Sequence, residues 1–227
     1  MKTLYIVIVH LMLLLFVTYF AIGNSGKREN QAKVDYYIDS LNAFHYYKNS
    51  QIKQRRNFAL GDSLIQAIDE DGLYSNVTNW GVGHSTSHDL HKKVSNLSSL
   101  KNADTIFILI GINDIHRGIP IPTVIENIKQ IVDELRLSKK IVLVSLLPVG
   151  IDRKTSVQIM AKIKNLNSAI KNLSASHKNA KYLDAHCLFT NRKGFLNSTF
   201  DRGDGLHLNA VGNKLLLEIF NKELISE

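Results

Sequence analysis

At 227 residues the chain holds one ordinary domain with a full core plus a terminal segment, and 44% hydrophobic residues argue against disorder over most of it. The net charge of +8 comes from scattered residues such as Lys139-Lys140, Lys162, Lys164 and Lys171, not from the clustered, aromatic-interleaved stripe of a nucleic-acid binder. It suits an anionic polymer or an anionic membrane equally, and the single cysteine, Cys187, excludes an internal disulfide and a cysteine-based metal site.

In chain order, Lys2 is followed by Leu4 to Ile22, 19 residues without a charged side chain. A run of that length just spans a bilayer as a helix, and Ala21-Ile22-Gly23 offers small residues for cleavage. Residues 1–23 are therefore expected to be a signal peptide or an N-terminal membrane anchor. The remainder would then be secreted, periplasmic, or held on the extracytoplasmic side of a membrane. Residues 24–56 read as a linker and helical lead-in, carrying Tyr36, Tyr37, Tyr46 and Tyr47. A folded domain is expected over 57–227.

Within it, Asn57-Phe58-Ala59-Leu60 reads as a short buried strand, and Gly61-Asp62-Ser63-Leu64 as the turn into a helix. Tyr74 to Thr78 reads as a second strand, followed by the Gly-rich turn Asn79 to Thr86 and a helix over Ser87 to Leu100. Thr105 to Ile110 has the β-branched composition of a strand buried on both faces. It ends at Gly111-Ile112-Asn113-Asp114. Thr123-Val124-Ile125-Glu126 matches a capping box, and Ile125, Ile128, Val132 and Leu135 give the helix after it an apolar face. Ile141 to Leu147 is a fourth strand. Val157, Met160, Ile163, Leu166, Ile170 and Leu173 keep helical spacing, Lys181 to Asp184 is a fifth strand, and Asn209 caps a last helix with Val211, Leu215, Ile219 and Phe220 inward. Five alternations of strand and helix predict a three-layer α/β/α sandwich on a five-stranded parallel sheet.

Loops at the carboxyl ends of such strands build the active site. Ser63, the turn around Gly81 to Thr86, and Asn113 all fall there. A serine at a strand-to-helix turn meets outward backbone N–H groups and a favourable dipole for negative charge, although a turn serine is most often a mere cap. A serine nucleophile also needs a base and an orienting acid. Asp204 and His207, three residues apart in Asp204-Gly205-Leu206-His207, can supply both. His84, His88 and His91 share helical spacing, but no carboxylate or cysteine cluster accompanies them, so they read as solvated helix-face residues. No metal and no cofactor is expected.

Four segments together resemble the ordered blocks of the SGNH hydrolases, also called the GDSL esterase/lipase family. They are Gly61-Asp62-Ser63-Leu64, Asn79-Trp80-Gly81-Val82-Gly83, Gly111-Ile112-Asn113-Asp114 and Asp204-Gly205-Leu206-His207-Leu208-Asn209. The resemblance implies that Ser63 is the nucleophile and His207 the general base, with Asp204 orienting it. It also implies an oxyanion hole formed by the Ser63 N–H, the Asn113 side chain and a backbone N–H of the second block. Many members carry glycine where this chain has His84. Gly83, just before it, is the favoured donor, with the His84 N–H as the alternative. The G-x-S-x-G elbow of the α/β-hydrolases is absent, because position 65 is Ile.

The function expected from this resemblance is a serine esterase working through an acyl-enzyme on Ser63, with O-acetyl groups on a carbohydrate as the preferred substrate class. A lysophospholipase or thioesterase is the alternative, with Ile115, Ile119 and Ile121 lining an acyl-chain groove. A non-catalytic glycan-binding module would predict a broken triad, and all four catalytic positions are filled. The expected partners are a small-molecule or glycan ester and, through residues 4–22, a membrane; nucleic acid is not among them.

Overall fold

The computed structural model describes residues 28–52, 56–69, 71–73, 77–151 and 156–225. The expected export segment, residues 1–23, lies outside them. Two compact units are present, Met1–Leu41 and Asn42–Glu227. The described part of the first, 28–41, is helical throughout, and among the described residues no helix is long and apolar enough to cross a membrane. The second unit starts with helix α1 (42–50) and carries the sheet.

The strands are β1 (Asn57–Gly61), β2 (Val77–Asn79), β3 (Thr105–Leu109), β4 (Lys140–Val144) and β5 (Ala180–Leu183). They pair in parallel in the order β2-β1-β3-β4-β5. Tyr74 to Asn76, the first part of the expected second strand, lie outside the described residues. Side chains alternate faces along a strand, and both faces here are covered. Phe58, Leu60, Ile106, Ile108, Ile141 and Leu143 point to one core, which they share with Leu90, Val94, Ile128, Val132, Ile163 and Leu166. Ala59, Phe107, Leu109, Val142 and Val144 point to the other, against Leu64, Ile65, Phe189, Leu216 and Phe220. The first core therefore lies under α3 (Ser87–Val94), α5 (Ile121–Glu134) and α6 (Ser156–Ala175). The second lies under α2 (Ser63–Gln66), α7 (His186–Phe189) and α8 (Ala210–Ile225). The remaining short helix, α4 (Ile112–His116), follows β3. This is the three-layer sandwich expected from the strand–helix alternation.

Several local expectations are corrected. The helix expected over Ser87 to Leu100 stops at Val94, and the chain resumes as a 3-10 turn over Ser98–Asn102. Helix α5 starts at Ile121, not at the capping box of Thr123, because a proline in the first turn lacks the N–H that a helix leaves unpaired there anyway. Val211, expected inward, is exposed in the first turn of α8, and Val157 is likewise exposed in the first turn of α6. Asn209 does precede α8 as expected, its Oδ1 accepting from the Gly212 N–H at 3.0 Å.

Candidate active site

Helix α2 is only four residues long and follows β1 with one residue between, Asp62. The Asp62 side chain is buried and accepts the Leu64 N–H at 3.0 Å, capping the helix and fixing Ser63 in its first turn. Burial, reinforced by the charge of Asp114, pushes the Asp62 carboxyl up to about 7 despite the hydrogen bond from Leu64. At its other end α2 is held by Asn79, whose Nδ2 donates to the carbonyls of Ile65 (2.7 Å) and Ile68 (2.9 Å) while its Oδ1 accepts from Gly81 N (2.9 Å). Gly81 passes so near α2 that a Cβ there would fall 2.7 Å from the Ile65 carbonyl carbon and collide with the Gln66 backbone.

The structure brings Ser63, His207 and Asp204 together across 144 residues of sequence. Ser63 Oγ lies 2.9 Å from His207 Nε2, and His207 Nδ1 lies 2.7 Å from Asp204 Oδ2. An ionised carboxylate only accepts, so the ring proton sits on Nδ1 and leaves Nε2 to take the serine proton. Asp204 Oδ1 also accepts the N–H groups of Leu206 (2.9 Å) and His207 (2.8 Å), and Arg202 Nη2 donates to Oδ2 at 3.1 Å. Partial burial opposes ionisation of Asp204, but the backbone bond from His207, the imidazole, and the bond from Leu206 outweigh it and hold the carboxyl well below its ordinary value. The turn is built by Asp201, which sequence reasoning passed over. Its Oδ1 accepts from Gly203 N (2.8 Å) and Gly205 N (3.0 Å), and the Gly150 N–H ties the turn to the sheet through Gly205 O at 2.8 Å.

The second and third blocks are joined to one another. Asn113 Nδ2 donates to Ser85 O at 2.9 Å. A carboxamide carries two such donors, so this bond sets the amide plane and leaves its second N–H to the site. Asp114 is fully buried and accepts from Ser87 N (2.9 Å) and Ser87 Oγ (2.7 Å), pinning the start of α3 to the end of β3. Burial raises its carboxyl pKa against those bonds. The N–H of Gly83, the favoured second-block donor, donates to Gln66 Oε1 at 2.7 Å. His84 instead has φ of 64°, the left-handed backbone that glycine adopts most readily, and it alone among the described non-glycine residues has a positive φ. Position 84 thus keeps the glycine-like geometry with a histidine in place. Its Cβ is tolerated because the side chain is exposed.

Behind the second block lies a buried cation that the sequence did not flag. Lys93 Nζ donates to Trp80 O at 2.6 Å, sits 2.6 Å from His45 Nδ1 of α1, and lies 5.8 Å from the centre of the Trp80 ring. Burial lowers the Lys93 pKa to about 7. Burial, then the charges of Lys93 and Lys48, lower that of His45 to about 3. His91 pairs with Glu134 at 2.8 Å.

A groove of about 650 Å³ runs past the triad, lined by Ser63, Gln66, Arg202, His207, Asn209 and Asn213. The apolar Leu64, Ala67, Leu208 and Ala210 complete its lining. A sequence profile of the GDSL-like lipase/acylhydrolase family matches residues 55–215. The chain belongs to this family. Members of known structure share the fold. A provisionally named platelet activating factor from Streptococcus pneumonia is 21% identical, with 86% of this chain and 95% of that one covered at a TM-score of 0.76. A GDSL-like lipase from Bacteroides thetaiotaomicron VPI-5482 is 18% identical, with 81% and 96% covered at 0.69. Axe2, an acetylxylan esterase from Geobacillus stearothermophilus, is 17% identical, with 77% and 96% covered at 0.63. No curated relative matches the chain significantly. As a GDSL-family acylhydrolase, the protein is an enzyme of the esterase and lipase class.

Proposed function

We propose that the protein is a serine esterase that removes O-acetyl groups from a carbohydrate through an acyl-enzyme on Ser63, acting outside the cytoplasm. The observation that supports it most is the continuous relay from Asp204 through His207 to Ser63, with both bonds at 2.9 Å or less. Ser63 Oγ attacks the ester carbonyl carbon as its proton passes to His207 Nε2, and the carbonyl π electrons move onto oxygen. The Ser63 N–H, the His84 N–H and the Asn113 amide receive that oxyanion. Collapse breaks the bond to the sugar oxygen, which leaves with the proton from His207. Water then attacks the acyl-enzyme, gives its proton to the same nitrogen, and releases acetate and Ser63. Asp204 keeps the ring in the one tautomer that can do this.

The preference for a small acyl group and a sugar rests on the groove. Among its mixed lining, Gln66, Arg202, Asn209 and Asn213 offer hydrogen bonds to a hydroxyl-bearing substrate. None of Ile115, Ile119 and Ile121, the isoleucines expected to line a channel for a long acyl chain, lines this groove; Ile115 is buried, and Ile119 and Ile121 are half-buried against the core. The acetylxylan activity of Axe2 agrees with this choice. The test is release of nitrophenol from esters of increasing chain length. The rate should peak at acetyl or propionyl, and Ser63→Ala should remove it. Undiminished turnover in that variant would refute the triad assignment, and a peak at palmitoyl would refute the acetyl choice in favour of a lysophospholipase or thioesterase.

A further inference from the structure

A second cavity, of about 580 Å³, opens beyond the carboxyl end of β5, between α6 and α7. It shares no lining residue with the Ser63 groove. Its size is that of a site for one or two sugar units rather than for a bare ion. Lys164 and Lys171 stand on its α6 wall, seven residues and therefore two helical turns apart, on one face. Neither ammonium group has an ion-pair or hydrogen-bond partner among the described residues. Their flexible stems are long enough for both ammonium groups to meet at one anion.

The rest of the lining argues for more than an anion. Asp184, Ser168 and Thr190 also face the cavity. A carboxylate such as Asp184 repels phosphate but accepts from hydroxyls. His186 Nδ1 donates to Leu146 O at 2.8 Å, so its Nε2 is left as a further acceptor. The floor is rigid before anything binds: Asn167 is buried and grips the Leu146 peptide from both sides, accepting its N–H at 2.7 Å and donating to its carbonyl at 3.0 Å. Such preorganisation lowers the entropy cost of binding.

We infer that this cavity is a subsite for an acidic sugar, Lys164 and Lys171 taking its carboxylate while Asp184, His186 and Ser168 take its hydroxyls. The Val149–Gly150 segment touches both an α6 residue of this cavity and the turn that carries His207. Val149 N contacts Met160 Sδ at 3.3 Å on the side of the second cavity, and Gly150 N donates to Gly205 O on the side of the triad turn. A glycan that reached both sites would place an acidic unit here and its acetylated unit at Ser63. That last step rests on the esterase reading above; occupation of the cavity by an acidic sugar does not.

The test is calorimetric titration of the full chain carrying Ser63→Ala, so that no turnover intervenes. Trigalacturonate is the probe, and xylotriose and inorganic phosphate are the comparisons. Trigalacturonate should bind at least tenfold more tightly than either. Lys164→Gln with Lys171→Gln should weaken it at least tenfold. Lys162→Gln with Lys178→Gln, which removes the same charge from exposed positions outside the cavity, should change it less than twofold. Equal weakening by both pairs would show a diffuse charge effect and overturn the inference. So would phosphate binding as tightly as trigalacturonate, or no binding of trigalacturonate at all. Loss of ester hydrolysis in the unmutated chain would refute the esterase reading alone and leave the binding result standing.

Discussion

Replacing Asp62 by Asn should make the protein's stability less dependent on pH. The carboxyl is 1% exposed, and burial raises its folded pKa to about 7. In the unfolded chain an aspartate titrates near ~3.9. The folded state thus holds on to the proton more tightly, so this group stabilises most below the unfolded value. That contribution is lost as pH rises from there to about 7, and above it the loss is constant. At ~1.4 kcal/mol for each unit of separation, ionising Asp62 costs about 1.5 kcal/mol at about pH 5 and about 4 kcal/mol at about pH 8.5. Asn keeps the oxygen that caps Leu64 N and removes the ionisation. Its amide N–H groups add a penalty of about 1–3 kcal/mol that does not vary with pH. Urea unfolding of both proteins across this range should show the variant gaining about 2–3 kcal/mol on the parent between the two ends. Parallel stability curves would show that Asp62 titrates like an exposed carboxyl, and the account of its burial would be wrong.

Gly81→Ala should cost at least ~3 kcal/mol and most of the activity, because the new Cβ meets the backbone of α2 and nothing flexible can yield; thermal melting and ester turnover read both. Lys93→Met should lower kcat more than it raises KM, since Trp80 O in the oxyanion turn loses its donor. The folded pKa of Lys93 lies below the unfolded one, near ~10.4. The cost of its buried charge is therefore full below about 7 and relieved as pH rises, so the parent should gain stability from neutral to alkaline pH and the variant should lack that gain. His84→Gly should keep turnover within about threefold and stability within about 1 kcal/mol, because the backbone conformation suits glycine and only the exposed side chain is lost. A large fall in kcat would assign the imidazole a role in the site.

The fold was legible because the three central strands of this sheet are buried on both faces. Asn57–Gly61, Thr105–Leu109 and Lys140–Val144 are short apolar runs between turns, and no amphipathic alternative competes with them. The relay was legible because its three members sit in short segments whose local chemistry is distinctive. Less was legible where one side chain acts on a distant backbone. Nothing around Gln66 announces that its amide oxygen occupies the Gly83 N–H, seventeen residues on. Lys93 sits in a helix with Lys92 beside it, and periodicity alone does not show which of the two is buried against Trp80.

The same distinction explains how a short turn can hold Ser63 still. A four-residue helix has too few internal hydrogen bonds to persist by itself. Here α2 is fastened at its start by Asp62 and at its end by Asn79, and Gly81 lets the second block close against it. Asp114 then fastens that block to β3 through Ser87, and Asp201 fastens the His207 turn. Each clamp is a polar side chain satisfying backbone groups that the loops leave unpaired. Two of the carboxylates are buried, and burial raises both of their pKa values, so the scaffold gives up stability at neutral pH to keep Ser63 and Asn113 in register. A variant that recovers that stability without loosening the clamp, as Asp62→Asn should, separates the cost of the charge from the function of the cap.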